Sequence, residues 1–404
     1  MTATSDTREQ TLVGTQPRRT RMLWQVALVV LLAVTVAAGQ IWYGNRHDYF
    51  DLRIYYHAMH WWASGHPLYA YTFPDLVSGP LGFTYPPFAA VVMYPMAWLT
   101  IGQTIALMWI VDAVCLVATT VWVVAPAARR HGWPIWFAIC LAIPLITALE
   151  PIRETVTFGQ INLVLVALIL GDLLVLVRRG SRLAGVGIGL ATAIKLVPGV
   201  FLIYLLLTGR RRAAATGAGA AIGATLLAAA IAPHASATYW THSVFQTDRI
   251  GHIYRITNQS LLGLLYHIDR PDRPSQLLWL ALCVPVAVFG MWRATLAARA
   301  GHELAGVALT GLVGCLVSPV SWNHHLYWFV PAVVVLLDTG RTRYVILAAV
   351  VWLTVSLGVI SFFDDGLSHR WLDTVPGFLI SNWYVLLMVV LLAALPVIPR
   401  TDPD

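Results

Sequence analysis

The sequence predicts an all-α polytopic membrane protein in which many transmembrane helices form one domain. Of its 404 residues, 58% are hydrophobic and only 11% are charged, which is not the balance of a soluble globular domain. Apolar stretches of about 20 residues, the length of helix that crosses a ~30 Å hydrocarbon core, recur from end to end. The net charge of +7 comes from arginines dispersed among these stretches, so it indicates cytoplasmic loop ends better than a nucleic-acid-binding surface.

Arginine clusters divide the loops between the two membrane faces, because positively charged loop ends stay in the cytoplasm. The division predicts about twelve transmembrane helices, with both termini in the cytoplasm. It gives a cytoplasmic N-terminal tail (1–21), a single transmembrane domain (22–398) and a cytoplasmic C-terminal tail (399–404). The predicted spans are roughly 22–42, 102–126, 133–149, 158–177, 183–194, 197–209, 213–232, 276–293, 303–319, 323–338, 343–362 and 380–398.

Two segments do not fit a simple crossing. Residues 84–99 are predicted to form a re-entrant or interfacial helix, since a full span there would move Arg129 and Arg130 to the outer face. Irregular backbone at membrane depth is tolerated where it lines a cavity. Residues 183–209 predict either two short helices that meet near Lys195 or one kinked span.

The first span is predicted to be an uncleaved anchor. Its apolar run, residues 22–42, is longer than the hydrophobic region of a typical signal peptide. The alternative is cleavage at the small residues 36–39. The four cysteines lie inside apolar stretches without paired spacing, which favours core side chains over disulfides or metal ligands.

Most of the ionisable residues able to do chemistry fall on the face away from the cytoplasm. Two long outer loops, 43–83 and 233–275, carry aromatic residues, histidines and charges of both signs. Lys195, the only lysine in the chain, joins them at mid-span. Such a one-sided group predicts a site that acts on a substrate at that face. Its other members are Asp48, Asp51, Glu150, Arg153, Glu154, His324 and His325.

The first outer loop carries a candidate general base. Asp51 stands just before residues at helical spacing, Tyr55, Ala58, Met59 and Trp62, so it is predicted to start an amphipathic helix. A carboxylate near the membrane interface can accept a proton from a sugar hydroxyl. The alternative is that Asp51 only caps its helix.

Polar residues also open the next two membrane segments. The sequence Thr84-Tyr85-Pro86-Pro87 starts the re-entrant segment, where two prolines fix the entry and leave carbonyl groups free to line a cavity. Gln160 and Asn162 begin a span that is otherwise apolar as far as Leu170. Their amides either bind sugar hydroxyls or cap the helix and contact a neighbouring span.

Two cations stand in unusual surroundings. Arg153 lies between Glu150 and Glu154, a pattern that favours an ion pair over an anion site. Lys195 lies among apolar residues, where it either extends towards the interface or binds an anionic group such as a lipid-linked phosphate. We expect the second role.

A polar break, Ser318-Pro319-Val320-Ser321-Trp322-Asn323-His324-His325, separates two apolar spans. Paired histidines at a membrane end indicate phosphate binding, proton handling or a metal. A metal is disfavoured, because adjacent histidines point in different directions on a helix and no His or Asp partner stands four residues away. Structural hydrogen bonds to loop carbonyls remain the alternative.

The order of these motifs resembles a known family, the polyprenol-phosphate-dependent GT-C mannosyltransferases of mycobacteria and their relatives, glycosyltransferase family eighty-seven. The resemblance spans nearly the whole chain. Each motif alone is weak, but five in order are specific for the family. They are the acidic residue of the aromatic first outer loop, TYPP (84–87), FGQIN (158–162), AIKLVP (193–198) and SPVSWNHH (318–325).

The resemblance implies a GT-C fold and an α-1,2-mannosyltransferase with two lipid substrates. The donor is a polyprenyl-phosphate β-mannose that enters from the bilayer, and the acceptor is a phosphatidylinositol mannoside, extended from tetramannoside to pentamannoside. Transfer proceeds with inversion outside the cytoplasm, in the plasma membrane, and uses no cofactor.

The resemblance also assigns roles. The family's acidic residue corresponds to Asp51, or alternatively Asp48, as the catalytic base. The chemistry of the residues adds that a cation or imidazole stabilises the donor phosphate, which is expected to bind Lys195 and the histidines His324 and His325, although the sequence does not decide which of the two histidines carries this role. The remaining polar and aromatic residues of the motifs are expected to contact substrate: Asp48, Arg53, Tyr55, Tyr85, Glu150, Arg153, Gln160, Asn162, Trp322 and Asn323.

Other function classes are weaker. A secondary transporter or lipid flippase also has many spans with charges inside the membrane, but it needs a path open to both faces and usually contains inverted repeats. The sequence shows no repeat, and its polar residues cluster at one face. A related GT-C enzyme with a different acceptor remains open, and a structural membrane protein leaves the two histidines and the single lysine unexplained.

Overall fold

Helices make up most of the part of the chain that the structure describes. The computed structural model describes residues 18–43, 47–75, 79–246, 251–268, 274–361 and 374–398. The only sheet within these ranges is an antiparallel pair, β1 (Thr72–Phe73) and β2 (Leu81–Gly82), in the first outer loop. The α-helices are α1 (Arg18–Tyr43), α2 (Phe50–Ala63), α3 (Pro87–Met93), α4 (Ile101–Arg130), α5 (Ile135–Thr147), α6 (Glu150–Phe158), α7 (Asn162–Gly171), α8 (Val186–Ile194), α9 (Val200–Leu207), α10 (Arg211–Ile231), α11 (Pro233–Thr241), α12 (Leu261–Ile268), α13 (Gln276–Arg299), α14 (Glu303–Val317), α15 (Phe329–Asp338), α16 (Thr342–Leu357), α17 (Val375–Ser381) and α18 (Trp383–Ala394).

Among the described helices, four are long and apolar enough to cross a membrane on their own: α1, α4, α10 and α13. Two bent pairs raise that number to six if each pair is one span: α5 with α6, bent by 71°, and α17 with α18, bent by 70°. The remaining apolar helices are shorter. The structure is therefore that of a helical membrane protein, and twelve crossings stay a prediction.

In three segments the structure differs from the predicted boundaries or decides between two predicted alternatives. Residues 150–157, which lie between the predicted spans 133–149 and 158–177, form most of α6, because Pro151 stands in its first turn and Gly159 (φ 68°) ends it in the left-handed conformation. Residues 84–99 contain only the short helix α3 and a 3-10 turn, Tyr94–Trp98. Residues 183–209 are two short helices, α8 and α9, which separate around Lys195.

Helix α8 is held at both its start and its side. At its start, the Asp172 carboxylate accepts hydrogen bonds from the backbone N–H groups of Gly185 (3.0 Å) and Ile188 (2.7 Å). At its side it packs on α10 so closely that a Cβ on Gly189 would lie 2.2 Å from the carbonyl oxygen of Gly217. The Ala/Gly-rich stretch 213–232 thus packs tightly, as such a composition predicts.

Several predictions fall on residues outside the described ranges. These include most of the N-terminal tail, the C-terminal tail with Arg400, and parts of the outer loops, at 44–46, 76–78, 247–250, 269–273 and 362–373. Residues 18–21, predicted to end the N-terminal tail, belong to α1.

Candidate active site

A cavity of about 910 Å³ opens where the first outer loop, α6, the break after α8 and the loop between α14 and α15 meet. The loop between α14 and α15 is held against the segment before α12 by Asn258, whose Oδ1 accepts the Ser321 N–H (2.9 Å). Three of the fourteen residues predicted for the site do not line the cavity: Asp48, Arg53 and Asn162. The other eleven residues line it: Asp51, Tyr55, Tyr85, Glu150, Arg153, Gln160, Lys195, Trp322, Asn323, His324 and His325.

Asp51 lies in the first turn of α2 but does not cap it. The capping position is Tyr49, whose φ is 54°, and no side chain caps the helix there. Instead Asp51 Oδ2 accepts a hydrogen bond from Gln160 Nε2 (2.6 Å). Gln160 Oε1 accepts one from the Tyr85 hydroxyl (3.0 Å), which also lies 3.0 Å from the Tyr55 hydroxyl. The TYPP and FGQIN motifs therefore meet in one hydrogen-bonded chain that orients the Asp51 carboxylate.

The surroundings of Asp51 also change its acidity. Burial raises the pKa of this carboxyl to about 6, although the hydrogen bond from Gln160 and the positive charge of Lys195 both act to lower it. Helix α2 lies within the segment 43–83 and is not among the helices that could span a membrane. A pKa near 6 leaves Asp51 mostly ionised at pH 7 and more basic than an ordinary aspartate, which suits a general base.

Asp48 occupies a different environment. Its carboxylate pairs with Arg53 Nη2 (3.0 Å), and 72% of its side chain is exposed. Arg53 Nε also donates to the Asp48 carbonyl oxygen (2.8 Å). The two residues form a surface ion pair beside the cavity, so the geometry favours Asp51 over Asp48 for chemistry inside it.

Lys195 extends from the end of α8 into the cavity. Its Nζ donates to Asn162 Oδ1 (3.2 Å) and lies 2.8 Å from His325 Nε2. Asn162 Nδ2 in turn donates to the carbonyl oxygen of His324 (2.9 Å), so Asn162 supports the site from behind the cavity wall. Within the described ranges, no carboxylate lies within 4 Å of Lys195 Nζ, and its neighbours there are neutral acceptors and the face of the Tyr85 ring.

The two adjacent histidines point to different places. His325 turns to Lys195, and its Nδ1 accepts the backbone N–H of Trp322 (3.2 Å). His324 turns to α6, where its Nδ1 lies 3.9 Å from Glu154 Oε2 and its ring lies 5.3 Å from that of Phe158. This division follows from the 3-10 turn Asn323–His325, which rotates successive side chains by about a third of a turn.

Glu154 lines the cavity, but the sequence assigned it no role in binding or catalysis. It was predicted only to belong to the one-sided polar group and to flank Arg153, because no helix was predicted between the spans 133–149 and 158–177. In a helix, residues four apart share a face, so Glu154 lies on the same side of α6 as Glu150. If α6 had been recognised from Pro151 and Gly159, the shared face of Glu150 and Glu154 could have been predicted from their spacing.

Glu150 and Arg153 link α6 to the neighbouring helices. The Glu150 carboxylate accepts hydrogen bonds from the hydroxyls of Tyr384 and Ser361. Arg153 Nη1 donates to the carbonyl oxygens of Ala148 (3.1 Å) and Ser356 (3.2 Å). Both residues line the cavity, yet these contacts give them a clear part in holding its wall.

The described residues contain no group of three or more His, Cys, Asp or Glu side chains that could hold a metal ion. All four cysteines are unpaired. The cavity instead combines a carboxylate of raised pKa, an ammonium group beside an imidazole, and several amides and hydroxyls. Such a site can remove a proton from a hydroxyl and stabilise an anionic leaving group.

Comparison with known proteins agrees with this chemistry. A family model described as Glycosyltransferase family 87 matches residues 83–319. A polyprenol-phosphate-mannose-dependent alpha-(1-2)-phosphatidylinositol mannoside mannosyltransferase of Mycobacterium tuberculosis is 34% identical, over 95% of this chain and 93% of its own length. An enzyme of the same name from Mycolicibacterium smegmatis is 33% identical over 77% of this chain and 75% of its own.

A third relative differs in the acceptor that its name gives. It is a polyprenol-phosphate-mannose-dependent alpha-(1-2)-phosphatidylinositol pentamannoside mannosyltransferase of Mycobacterium tuberculosis, 33% identical over 77% of this chain and 72% of its own length. No solved structure matches the chain.

Proposed function

Since the chain belongs to glycosyltransferase family 87 and is a glycosyltransferase, we propose that it transfers mannose from a polyprenyl-phosphate donor to a phosphatidylinositol mannoside. The product linkage is α-1,2, and the acceptor is the tetramannoside, which becomes a pentamannoside. The donor and the acceptor class are those in the names of two relatives. One observation supports the proposal most: the Asp51 carboxylate and the Lys195–His325 pair open into the same cavity.

The proposed reaction is a single displacement at C1 of the donor mannose. The 2-hydroxyl oxygen of the acceptor forms a bond to C1 while the bond from C1 to the phosphate oxygen breaks, so the β-linked donor gives an α-linked product. The hydroxyl proton passes to the Asp51 carboxylate, and polyprenyl phosphate leaves with the bonding electrons. Assistance by such a base contributes about 10²–10⁴-fold to the rate.

The leaving phosphate gains negative charge as the bond breaks, and Lys195 with His325 stabilises it. Their nitrogens lie 2.8 Å apart, close enough to bind oxygens of one phosphate group. Donors held in place before the reaction stabilise developing charge without a cost of reorganisation. His324 points away from this pair, towards Glu154.

The proposed architecture is the GT-C fold with twelve transmembrane helices in a single domain, residues 22–398, in the plasma membrane. Both tails lie in the cytoplasm, and the cavity faces the opposite side. This arrangement is supported by Arg182, which precedes α8, and by Arg210, which follows α9, because both lie at the ends of these helices away from Lys195 and the cavity. Both lipid substrates then reach the cavity from the bilayer.

The test is transfer by the purified protein from polyprenyl-phosphate mannose to defined acceptors. We expect the tetramannoside to gain one α-1,2-mannose, and the pentamannoside, the acceptor named for the third relative, to be a poor substrate. Asp51→Asn is expected to fold, to bind donor and to lose at least about 10²-fold in kcat. The matched control is Asp48→Asn, the same change in the exposed ion pair, which is expected to keep near-normal turnover.

Three outcomes contradict the proposal. Preferential use of the pentamannoside would assign the next acceptor stage. Near-normal turnover by Asp51→Asn would remove the proposed base. Movement of labelled lipid across vesicle membranes without any sugar transfer would favour a flippase or transporter.

A further inference from the structure

A second group of residues lines the cavity beside the Lys195–His325 pair. It consists of His47, Glu154, Phe158, Asn323 and His324, and we call it the α6 subsite. The backbone of this group is fixed, since the His324 carbonyl oxygen accepts hydrogen bonds from Asn162 Nδ2 (2.9 Å) and Thr155 Oγ1 (3.2 Å). The side chains are therefore held in a defined arrangement on the cavity wall.

Two buried polar side chains in the α6 subsite have no hydrogen-bond partner within the part of the chain that the structure describes. Asn323 is 0% exposed, and neither atom of its amide group is bonded. His324 is 5% exposed, and neither of its ring nitrogens is bonded. Because buried polar groups in folded proteins are nearly always hydrogen-bonded, four unbonded atoms at one cavity wall indicate a ligand that supplies the missing partners.

The chemistry of the α6 subsite matches hydroxyl groups and not a phosphate. Glu154 Oε2 lies 3.9 Å from His324 Nδ1, and Glu154 Oε1 lies 4.0 Å from His47 Nε2. A carboxylate at this position repels an anion but accepts hydrogen bonds from hydroxyls. The amide of Asn323 and a neutral imidazole both donate and accept, as each sugar hydroxyl does.

Aromatic rings complete the pattern. The His47 ring stacks on that of Phe158 with centroids 3.7 Å apart, and the Phe158 ring lies 5.3 Å from His324. Within the stack each ring covers one face of the other, so only an outward ring face is left to bind the apolar C–H face of a sugar while polar groups bind its hydroxyls. A carboxylate, an amide, an imidazole and an aromatic ring are together suited to bind one hexose.

We propose that the α6 subsite binds the mannose of the donor and makes Glu154, Asn323 and His324 determinants of donor-sugar specificity. This inference rests on the proposed function. The donor mannose is bonded directly to the phosphate, so its ring must lie within one sugar of the phosphate-binding groups. The ring centroids of His324 and His325 are 4.6 Å apart, and Asn323 immediately precedes His324 in the chain. The α6 subsite therefore lies within about one sugar ring of the phosphate-binding His325.

The experiment compares equilibrium binding of two lipids, polyprenyl-phosphate mannose and polyprenyl phosphate, which lacks the sugar. It uses Asp51→Asn as the parent, so that the donor is bound but not consumed, and adds Glu154→Gln or Asn323→Leu, two changes of similar side-chain size. We expect each to raise the Kd for the mannosyl donor by about 10–10²-fold, because a site built for hydroxyls then has a wrong or missing partner. The Kd for polyprenyl phosphate is expected to change by less than about twofold, since its phosphate contacts remain.

The matched control is Glu303→Gln, the same chemical change at a buried carboxylate outside the cavity. Its carboxylate accepts hydrogen bonds from the Tyr204 hydroxyl (2.9 Å) and Arg210 Nη1 (2.6 Å), so the ratio of the two Kd values is expected to stay at the parent value. If Glu154→Gln weakened the binding of both lipids equally, or weakened acceptor binding and left donor binding intact, this inference would be overturned and the proposed function would stand. Failure of the parent to bind either lipid would overturn the proposed function as well.

Discussion

Among single residues, Gln160 acts to lower the proton affinity of Asp51. The hydrogen bond from Gln160 Nε2 stabilises the ionised carboxylate and so acts against the burial that raises its pKa to about 6. A base works only in its deprotonated form, so the activity of the wild-type enzyme is expected to fall as the pH decreases through about 6.

Gln160→Leu removes that hydrogen bond, so the pKa of Asp51 is expected to rise and the acid limb of the profile of kcat/KM against pH to move to higher pH. The measurement is this profile with the lipid donor and acceptor. Gln40→Leu is the matched control, because Gln40 Nε2 donates to the Thr147 carbonyl oxygen (2.8 Å) away from the cavity. An unmoved acid limb in Gln160→Leu would show that Asp51 does not set it.

Residue types could be predicted from the sequence, but their pairing could not. The motifs located Asp51, Gln160 and Tyr85 without indicating that they form one chain, because the three residues are far apart in the sequence. The sequence predicted that His324 and His325 point in different directions, but not that His325 turns to Lys195 and His324 to Glu154, because both partners are far away in the sequence. These roles stay predictions until variants are measured.

Among the helices, α8 determines where Lys195 lies. Asp172 holds its first turn through the N–H groups of Gly185 and Ile188, and the helix ends at Ile194, one residue before Lys195. A carboxylate at a helix N-terminus satisfies backbone donors and the positive end of the helix dipole. The distant Asp172 therefore acts on the cavity through α8.

Asp172→Ala is expected to lower the free energy of unfolding by about 1–2 kcal/mol, the value of a lost helix cap. It is also expected to weaken binding of polyprenyl phosphate, because Lys195 is no longer held in place. Thermal unfolding and a Kd for polyprenyl phosphate measure the two effects. Asp172→Asn keeps one side-chain oxygen acceptor and is expected to lie between Ala and wild type, whereas an unchanged Kd in folded Asp172→Ala would contradict the link to Lys195.

Helix boundaries were predictable where apolar length or proline marked them. Two prolines and a third at position 95 indicated the short segment at 84–99, and Arg-flanked apolar runs indicated α4, α10 and α13. Helix α6 was missed since its charged residues resemble a loop. Which face of α6 packs on neighbouring helices and which meets the cavity is decided by tertiary contacts, which no local pattern contains.

For the whole molecule, the proposed orientation can be measured directly. Asp48 is exposed beside the cavity, and Arg341 is exposed at the opposite end of the bundle, before α16. In a protein with its native cysteines replaced, Asp48→Cys is expected to react with a membrane-impermeant maleimide in intact cells, and Arg341→Cys only after lysis. The reverse labelling pattern would place the cavity on the cytoplasmic side.

Lys195 is expected to couple the stability of the entire fold to the binding of a phosphate group in the cavity. A part-buried ammonium whose nearest charged partner, Asp51, lies more than 4 Å away is only partly compensated, so far as the described residues go. Under the proposed function, the donor phosphate adds a negative charge at this ammonium, and ligand at about 100 times its Kd stabilises a folded protein by about 2.7 kcal/mol. Product release then returns the protein to its strained electrostatic state, so departure of the spent carrier lipid is opposed by the same attraction that loads the next donor.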